Sequence, residues 1–361
     1  MPEVALHSKH IALGAKMGPF GGWDMPIEYT AGTVAEHNAV RNAVGIFDVS
    51  HMGKVRILGE GAYAFANSVF ANDLDRIKPG QAQYSMFCND NGGIIDDLIV
   101  YLVSDTEVRF IPNAGNASTV VAELEKILPA GLTLENNHLK QGILAIQGPK
   151  SADLVKALGL PADHDYMAFA DATWNGHALT VCRTGYTGEH GYEIVIGNDG
   201  LAALFDAVLD AGGAFGLLPC GLGARDTLRT EMGYPLHGQD ISPTISPLEA
   251  KIGWAVGWKK DKFAGREALV KEKENGPKRI AVGLLANDRG IPRGHMQVKN
   301  TAGEVIGETT SGTFSPTLQK GIALALVKPG VNEGDQLIVD VRGRDLAVTV
   351  TKPPFVSPST K

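Results

Sequence analysis

Cysteine is scarce in the sequence, and its three copies lie far from one another. Cys88, Cys182 and Cys220 are odd in number and show no C-x-x-C spacing. A disulfide framework and a structural zinc site both need closely arranged cysteines, so neither is expected. Free thiols in a reducing compartment fit this pattern, and the cytoplasm is the predicted location.

An excess of positive charge and long apolar runs are also absent. The chain has 33 basic and 40 acidic residues, which gives a net charge of −7. This balance argues against a protein that binds nucleic acid through bulk positive charge. No apolar run approaches the roughly 18 residues of a membrane span, and the opening MPEVALHSKH has no signal-peptide core. We therefore expect neither nucleic acid nor a membrane as a partner.

Several motifs with a defined chemistry are missing as well. The sequence contains no H-E-x-x-H, no G-x-S-x-G elbow and no G-x-x-x-x-G-K-[ST] loop. These motifs supply zinc hydrolysis, a serine nucleophile and phosphate binding, respectively. No cluster of His, Cys and Asp has the spacing of metal ligands, so no metal is expected.

Glycine, in contrast, is abundant, at 44 of 361 residues, and strand patterns prevail over helix patterns. Short helices between strands predict a mixed α+β fold that is largely antiparallel. The clearest helix is expected to have Asp199 as its N-cap and to end near Gly212. Its apolar positions are Leu201, Leu204, Phe205, Val208 and Leu209. A charged stretch without strand pattern precedes Arg279, and it predicts a linker to a smaller C-terminal β-domain.

Two adjacent acids stand inside the apolar stretch NGGIIDDLIVY. Side chains alternate between the faces of a strand, so Asp96 and Asp97 cannot enter one pocket side by side. Burying an ionised carboxylate is costly unless it is paired or used. One acid is therefore expected to face a site, while the other caps a turn. The alternative is that both lie solvated at the beginning of the strand.

The stretch RTGYTGEHGYEI combines turn residues with a carboxylate that needs hydrogen-bond donors. Gly185, Gly188 and Gly191 permit tight turns and close backbone approach. Glu193 follows in an apolar strand, where a carboxylate without partners is costly. This pattern favours either a binding loop or a hairpin turn with a purely structural role.

The stretch GLGARDTLRTE predicts a loop followed by a helix that contains Arg225, Asp226 and Arg229. Arginine at the beginning of a helix can bind a carboxylate with two hydrogen bonds. The alternative is a network of Arg–Asp pairs that joins layers of the fold. His51, in FDVSHMGKV, has no partner at metal-ligand spacing and is expected to be packed or to cap a turn.

Nine motifs together resemble the glycine cleavage system aminomethyltransferases, the T-protein family of folate-binding enzymes. They occur in the order GGWDMP, VGIFDVSHMGK, YSMFCNDNGGIIDDLIVY, NAGN, AIQGPK, RTGYTGEHGYEI, GLGARDTLR, SPLEAKIGWAV and TSGTFSPTLQKGIALALV. The resemblance extends from about residue 7 to about residue 355, which is nearly the whole chain.

The resemblance implies a three-domain cloverleaf of class α+β. Two mixed domains of antiparallel sheets and helices would surround a folate site, and the third would be a β-barrel of jelly-roll type. The expected limits are 1–48 with 140–250 for the first domain, 49–139 for the second, 251–278 for the linker and 279–361 for the barrel.

The resemblance also implies a reaction. The aminomethyl group on the lipoyl arm of the H-protein passes to tetrahydrofolate, which acts as a co-substrate. The products are 5,10-methylenetetrahydrofolate, ammonia and the dihydrolipoyl H-protein. The family is monomeric by default and contacts the H-protein transiently.

Site residues follow from the family motifs, position by position. The second acid of the DDL motif, Asp97, is the catalytic carboxylate, and Asp96 is expected to serve the structure. Glu193 would bind the ring N–H and the amino group at the pteridine edge. The remaining expected folate contacts are Asn113, Tyr186, Met52, Tyr84 and, with a less defined role, Arg225.

Two other functions are compatible with parts of the pattern. One is another tetrahydrofolate-dependent transferase or demethylase of the same fold. The other is a non-catalytic folate-binding factor for iron–sulfur assembly, but its KGCYxGQE motif is replaced here by RTGYTGEHG. His190 departs from the common GEDGYE pattern at a turn position, where little loss of function is expected, although a histidine can make the local charge depend on pH near neutrality.

Overall fold

A computed structural model describes residues 1–360 of the chain. The α-helices are α1 His7–Ala12, α2 Thr33–Asn42, α3 Ala62–Val69, α4 Ala117–Ile127, α5 Ser151–Ala157, α6 Asn198–Gly212, α7 Leu222–Met232 and α8 Arg266–Asn275. The strands of the N-terminal part are β1 Lys16–Phe20, β2 Trp23–Glu28, β3 Val44–Asp48, β4 Val55–Leu58, β5 Gln81–Cys88, β6 Ile94–Ser104, β7 Glu107–Pro112 and β8 Thr133–Asn136. They are followed by β9 Gln141–Gln147, β10 Phe169–Trp174, β11 His177–Cys182, β12 Gly191–Gly197 and β13 Leu217–Pro219. The C-terminal strands are β14 Ile280–Ala286, β15 Gln297–Lys299, β16 Val305–Ser315, β17 Lys320–Val327, β18 Gln336–Val341 and β19 Arg344–Thr351.

The first sheet has six strands in the order β10-β11-β12-β9-β3-β13. Its pairs are antiparallel except β13, which runs parallel to β3. The predicted helix covers this sheet as α6, and its apolar positions join the core of the sheet. The predicted N-cap is wrong: α6 begins at Asn198 after Gly197, and Asp199 lies in the first turn. Its carboxylate lies 3.2 Å from Nδ1 of His177 instead of capping the helix.

The second sheet has five antiparallel strands in the order β5-β6-β7-β4-β8. Side chains of α3 and α4 complete its core together with Phe70, Phe87 and Phe110. The two adjacent acids lie in β6, an inner strand of this sheet that pairs with β5 on one side and with β7 on the other. This central position places them where the cost of an unpaired charge is highest.

The segment predicted as a linker is packed against the second sheet. It contains a 3₁₀ turn at Gly253–Ala255 and α8. Its side chains Ile252, Phe263 and Leu269 are buried in one cluster with residues of β5 and β6. Lys260 fixes the segment further, because its Nζ donates hydrogen bonds to the backbone carbonyl oxygens of Phe70 and Asn72. Most other charged residues of this stretch are exposed, so its composition did not reveal these buried anchors.

The C-terminal strands form a closed barrel in the order β14-β17-β16-β15-β18-β19. The last hairpin turns at Arg342 and Gly343, whose φ angles are 55° and 81°, as a two-residue hairpin turn of type I′ requires. Leu337 and Val339 of β18 point into the barrel core, as the alternation predicts. The α+β class with two sheet units and a C-terminal barrel is thus confirmed, while the exact domain limits stay a prediction.

The helix α7 connects the first sheet to the barrel. Arg229 donates hydrogen bonds to Asp226 and Asp240, and it also reaches Ser311 of β16. Glu231 accepts hydrogen bonds from Arg41 of α2 and from Ser315 at the end of β16. These buried contacts fix the units around a common central space.

Candidate functional site

A cavity of about 810 Å³ lies where the two sheets, α7 and the barrel meet. All seven residues that the sequence predicts for the site line this one cavity. They are Met52, Tyr84, Asp97, Asn113, Tyr186, Glu193 and Arg225. They come from both sheets, a loop and a helix, so only the tertiary fold brings them together.

Asp97 faces the cavity from β6, and its carboxylate is held by two neighbours. Tyr84 Oη of β5 donates to Asp97 Oδ2 at 3.0 Å, and Asn113 Nδ2 donates to Oδ1 at 2.8 Å. Burial raises the pKa of the Asp97 carboxyl, and the bonds from Tyr84 and Asn113 oppose that rise. A carboxylate in this setting is oriented, partly desolvated and able to accept a proton.

Asp96 lies on the opposite face of β6 and is fully buried. Its carboxylate accepts hydrogen bonds from the backbone N–H and the Nδ2 of Asn113 and from Nδ2 of Asn116. The alternation of the two acids between the faces of the strand is confirmed. The alternative, in which both remain solvated, is wrong.

Glu193 lines the cavity from β12, a strand of the first sheet. Thr184 Oγ1 donates to Glu193 Oε2 at 2.5 Å, and Tyr101 Oη lies 3.4 Å from the same threonine oxygen. The donors expected for this half-buried carboxylate are thus partly supplied by the protein. Each carboxylate oxygen accepts more than one hydrogen bond, so capacity remains for a ligand with adjacent N–H groups.

Glycines shape the loop between β11 and β12. A Cβ atom on Gly185 would lie 2.1 Å from Oε1 of Gln147, and one on Gly191 would lie 2.3 Å from its Nε2. Gly188 has a φ of +80°, and a Cβ there would lie 2.1 Å from Sδ of Met232. The predicted turn and close approach are both confirmed. The loop is a hairpin connection that also places Tyr186 and Thr184 at the cavity.

Arg225 and Arg229 differ in their contacts. Arg229 forms the Arg–Asp network with Asp226 and Asp240. Arg225 instead stacks on the ring of Tyr186, with its Cζ 4.8 Å from the ring centroid. Its Nη1 is buried and has no hydrogen-bond partner among residues 1–360. Burial lowers the pKa of Arg225, and the charge of Glu193 opposes that decrease. A buried guanidinium N–H without a partner points to a polar ligand atom.

Met52 lies at the cavity beside a turn that is fixed by a buried lysine. Lys54 Nζ donates to the carbonyl oxygens of Ser50 and Met52, both at 2.8 Å. Burial lowers the pKa of Lys54 to about 7. His51, in the same turn, is packed edge-on against Phe20, with ring centroids 5.7 Å apart. The prediction that this histidine is packed is confirmed.

Sequence reasoning missed several groups at the site. The ring of Trp254 stacks on that of Tyr84, with centroids 5.7 Å apart, although 66% of the tryptophan is exposed. The motif SPLEAKIGWAV contains this residue, but its spacing alone assigns no role to it. Thr184 was likewise visible in the RTGYTGE motif without an assigned partner. Asn116 and His237 do not line the cavity, and no sequence pattern indicated that either residue belongs to the surroundings of the site.

His190 lies in the connection between β11 and β12, and its surroundings do not favour a charge near neutral pH. Burial lowers the pKa of His190 to about 4, and the nearby Arg183 adds to that effect. Its Nδ1 lies 2.9 Å from Oγ of Ser151. The imidazole is therefore neutral around pH 7 and brings no titrating charge to this loop.

Two other properties concern residues 1–360 as a whole. Within this range, no three side chains of His, Cys, Asp or Glu are grouped in a way that could hold a metal ion. The helices in the same range are also too short or too polar for any of them to span a membrane.

Comparison with known proteins identifies the family. Residues 6–260 match the GCVT N-terminal domain, and residues 279–357 match the glycine cleavage T-protein C-terminal barrel domain. The aminomethyltransferase of Frankia alni is 57% identical over 356 residues, which cover 98% of this chain and 97% of that protein. The aminomethyltransferase of Mycobacterium avium is 54% identical, with 99% of this chain and 97% of that protein covered.

A solved structure agrees with these matches. The glycine cleavage system aminomethyltransferase T from Bartonella henselae has a TM-score of 0.94 and 34% identity, and the comparison covers 99% of this chain and 98% of that one. Since both domains, the relatives and the fold agree along nearly the full length, the chain belongs to the glycine cleavage T-protein family of aminomethyltransferases.

Proposed function

We propose that this aminomethyltransferase passes the aminomethyl group from the lipoyl arm of an H-protein to tetrahydrofolate, with Asp97 as the catalytic carboxylate. The products are 5,10-methylenetetrahydrofolate, ammonia and the dihydrolipoyl H-protein. One observation carries the proposal: seven side chains that the family motifs assign to folate and transfer line a single cavity of about 810 Å³. This volume falls within the usual range of small-molecule sites.

The chemistry of the cavity fits a reduced folate. Glu193 supplies carboxylate oxygens for the ring N–H and the amino group of a pteridine. Arg225 supplies a buried N–H that lacks a protein partner. Tyr84 and Tyr186 provide flat apolar walls, and each is itself stacked on another aromatic ring. Met52 and Asn113 complete the proposed set of folate contacts.

Tetrahydrofolate supplies the nitrogen nucleophiles that accept the one-carbon unit, and the protein supplies charge and orientation. Positive charge develops on the transferred carbon as ammonia leaves. Two C–N bonds to tetrahydrofolate form, the C–S bond to the lipoyl arm also breaks, and the protons of the two folate nitrogens pass to ammonia and to the dihydrolipoyl thiol. Asp97 offers a fixed negative charge at the cavity wall, and a preoriented charge stabilises such a cation without reorganisation. Its raised pKa also allows Asp97 to accept or return a proton during the transfer.

Partners and location follow from the proposed reaction. The H-protein delivers the carbon, and we expect transient contact with a monomeric transferase in the cytoplasm. Neither nucleic acid nor a membrane has a part in this proposal. Its support is the family membership, together with the net charge of −7.

The experiment is a turnover assay with aminomethyl-loaded H-protein and tetrahydrofolate. We expect methylenetetrahydrofolate and ammonia to form in equal amounts. Without tetrahydrofolate, no methylenetetrahydrofolate can form, and we expect ammonia release to be much slower. An Asp90→Asn variant serves as a control, because Asp90 is an exposed acid in the turn before β6. A protein that binds tetrahydrofolate but gives no product would exclude the transferase reaction and favour a binding role.

A further inference from the structure

The carboxylate of Asp96 is a buried acid that the proposed reaction does not use directly. It does not line the cavity, yet three N–H groups converge on it. Asn113 donates from its backbone N at 2.8 Å and from Nδ2 at 2.9 Å, and Asn116 donates from Nδ2 at 2.8 Å. An acid with only a packing role would be replaced at lower cost by an apolar residue. The arrangement calls for a reason to keep a carboxylate there.

The side-chain amide of Asn113 connects Asp96 to Asp97. The same Nδ2 lies 2.9 Å from Oδ1 of Asp96 and 2.8 Å from Oδ1 of Asp97. Nδ2 also lies 2.9 Å from the backbone carbonyl oxygen of Asp97. An amide has two N–H bonds in a fixed plane, so one can point to Asp96 and the other to the oxygens of Asp97. The orientation of the amide, and with it that of the Asp97 carboxylate, therefore depends on Asp96.

Asn116 supports this arrangement instead of capping a helix. It occupies the N-cap position of α4, but its side chain makes no capping hydrogen bond. An asparagine at this position ordinarily stabilises a helix through such a bond. Here Nδ2 binds Asp96 Oδ1 and also lies 2.8 Å from Nδ1 of His237. The capping interaction is given up for contact with the buried acid.

His237 anchors the far end of the cluster. Its Nε2 lies 3.0 Å from the carbonyl oxygen of Ile94 at the beginning of β6. Both ring nitrogens are satisfied when Nε2 carries the proton and Nδ1 accepts from Asn116. A chain of contacts thus leads from the segment after α7 to the carboxylate at the cavity.

We propose that Asp96 is a positioning residue for the transfer, which orients the Asp97 carboxylate through the shared amide of Asn113. Asn116 and His237 hold Asp96 in the orientation that this requires. The inference rests on the proposed role of Asp97 and adds residues that lie outside the cavity. It predicts that transfer, more than folate binding, depends on Asp96.

The ionisation of Asp96 is coupled to that of Asp97. Burial raises the pKa of both groups, and the charge of Asp97 raises that of Asp96 further, to about 8. The other titratable groups that face the pair are Tyr84 from β5, Tyr186 from the loop after β11 and His237 from the segment after α7. The pair therefore titrates in two coupled steps, and the upper step lies above the usual range of a carboxyl group.

The test is the pH dependence of kcat for the wild type and for Asp96→Asn, with the full-length protein, tetrahydrofolate and loaded H-protein. In the wild type we expect an inflection near pH 8 in addition to one at lower pH. Asp96→Asn leaves a single carboxyl, so the upper inflection disappears. We also expect kcat to fall about tenfold, while the KM for tetrahydrofolate stays within about threefold. The control Asp90→Asn keeps the wild-type profile.

A role of Asp96 in folding alone would lower the melting temperature and leave the shape of the profile unchanged. An Asp96→Asn variant that keeps the upper inflection therefore overturns the inference. If that variant does not fold, Asn116→Ala is measured instead. It leaves both carboxylates in place and removes one of the three N–H donors to Asp96. We expect Asn116→Ala to lower kcat with an unchanged KM for tetrahydrofolate. A wild-type kcat in this variant overturns the inference.

Asp97→Asn separates this inference from the proposed function. If Asp97→Asn is inactive while Asp96→Asn behaves as the wild type, only the role of Asp96 fails. If Asp97→Asn itself turns over normally, the proposed role of Asp97 fails, and the positioning role of Asp96 fails with it.

Discussion

Tyr84 and Asp97 lie diagonally across the neighbouring strands β5 and β6, where Tyr84 pairs with Ile99 and Met86 pairs with Asp97. Tyr84 Oη donates to Asp97 Oδ2 at 3.0 Å. The same tyrosine ring stacks on Trp254. Tyr84 thus combines two functions, because it holds the carboxylate with its hydroxyl and forms part of the cavity wall with its ring. These functions can be separated by a substitution that removes the hydroxyl alone.

The variant Tyr84→Phe keeps the ring and removes the hydrogen bond to Asp97. That bond lowers the pKa of Asp97, so its loss raises this pKa. The transfer needs the ionised carboxylate. As the pH is lowered, the variant should therefore lose activity at a higher pH than the wild type does. We expect the acid side of the kcat profile to move up by about half a unit. Tyr63→Phe, which removes a hydroxyl contact to Asp75 outside the cavity, should leave the profile unchanged, and an equal shift in both variants would contradict this account.

Glu193→Gln should weaken folate binding more than it affects transfer. The amide keeps the size of the side chain but offers one acceptor oxygen in place of two and loses the charge. A hydrogen bond to a charged group contributes about 2 kcal/mol, so we expect the KM for tetrahydrofolate to rise about 30-fold. The fall in kcat should be less than about threefold. A variant with wild-type KM and reduced kcat would show that Glu193 acts in transfer instead of binding.

Gly188→Ala tests whether the close approach of the β11–β12 loop to Met232 is needed. The new Cβ would lie 2.1 Å from the sulfur at a φ of +80°. Gly176→Ala is the matched control, because Gly176 has a φ of +84° but open space around it. We expect both variants to lose about 1 kcal/mol of unfolding free energy through backbone strain. Gly188→Ala alone should also raise the KM for tetrahydrofolate, and equal KM values in the two variants would refute a role of this contact.

Acid stability should depend on Glu231. Burial alone would raise its pKa, but hydrogen bonds and charge from His37, Ser315 and Arg41 lower it to about 2. Because the folded pKa lies below the usual value, the stabilisation is complete above about pH 4.5 and is lost as the pH falls towards 2. We expect this part of the unfolding free energy to be about 3 kcal/mol.

The measurement is urea unfolding of the wild type and Glu231→Gln between pH 2 and pH 7. The difference between the two proteins removes the contribution of the other carboxyl groups. It should be largest near neutral pH and decrease as the pH falls through the lower part of this range. A difference that stays constant over the range would show that the charge of Glu231 is not the stabilising factor.

The sequence allows a correct prediction of features that depend on local periodicity. Strand alternation separated Asp96 from Asp97, and the apolar spacing placed Leu204 and Val208 on the buried side of α6. Asp199 shows the limit of such local rules. Its carboxylate contacts His177, a residue of a neighbouring strand that the spacing within the helix cannot reveal.

Features that depend on long-range contacts were beyond the sequence pattern. The charged segment before β14 hides Phe263 and Leu269, which are buried against the second sheet. His190 has a low pKa because the fold buries it near Arg183. Asn116 and His237 meet although 121 positions separate them. The family motifs supplied the members of the site, but only the structure reveals the contacts that hold Asp97 from behind.

The central claim is that the Asp97 carboxylate serves transfer and not folate binding. The most direct measurement compares kcat and the Kd for tetrahydrofolate in the wild type and Asp97→Asn, with aminomethyl-loaded H-protein as the donor. We predict that Asp97→Asn loses about 100-fold or more in kcat and keeps its Kd within about threefold. A variant that keeps the wild-type kcat, or one that loses activity only because tetrahydrofolate no longer binds, would contradict the claim.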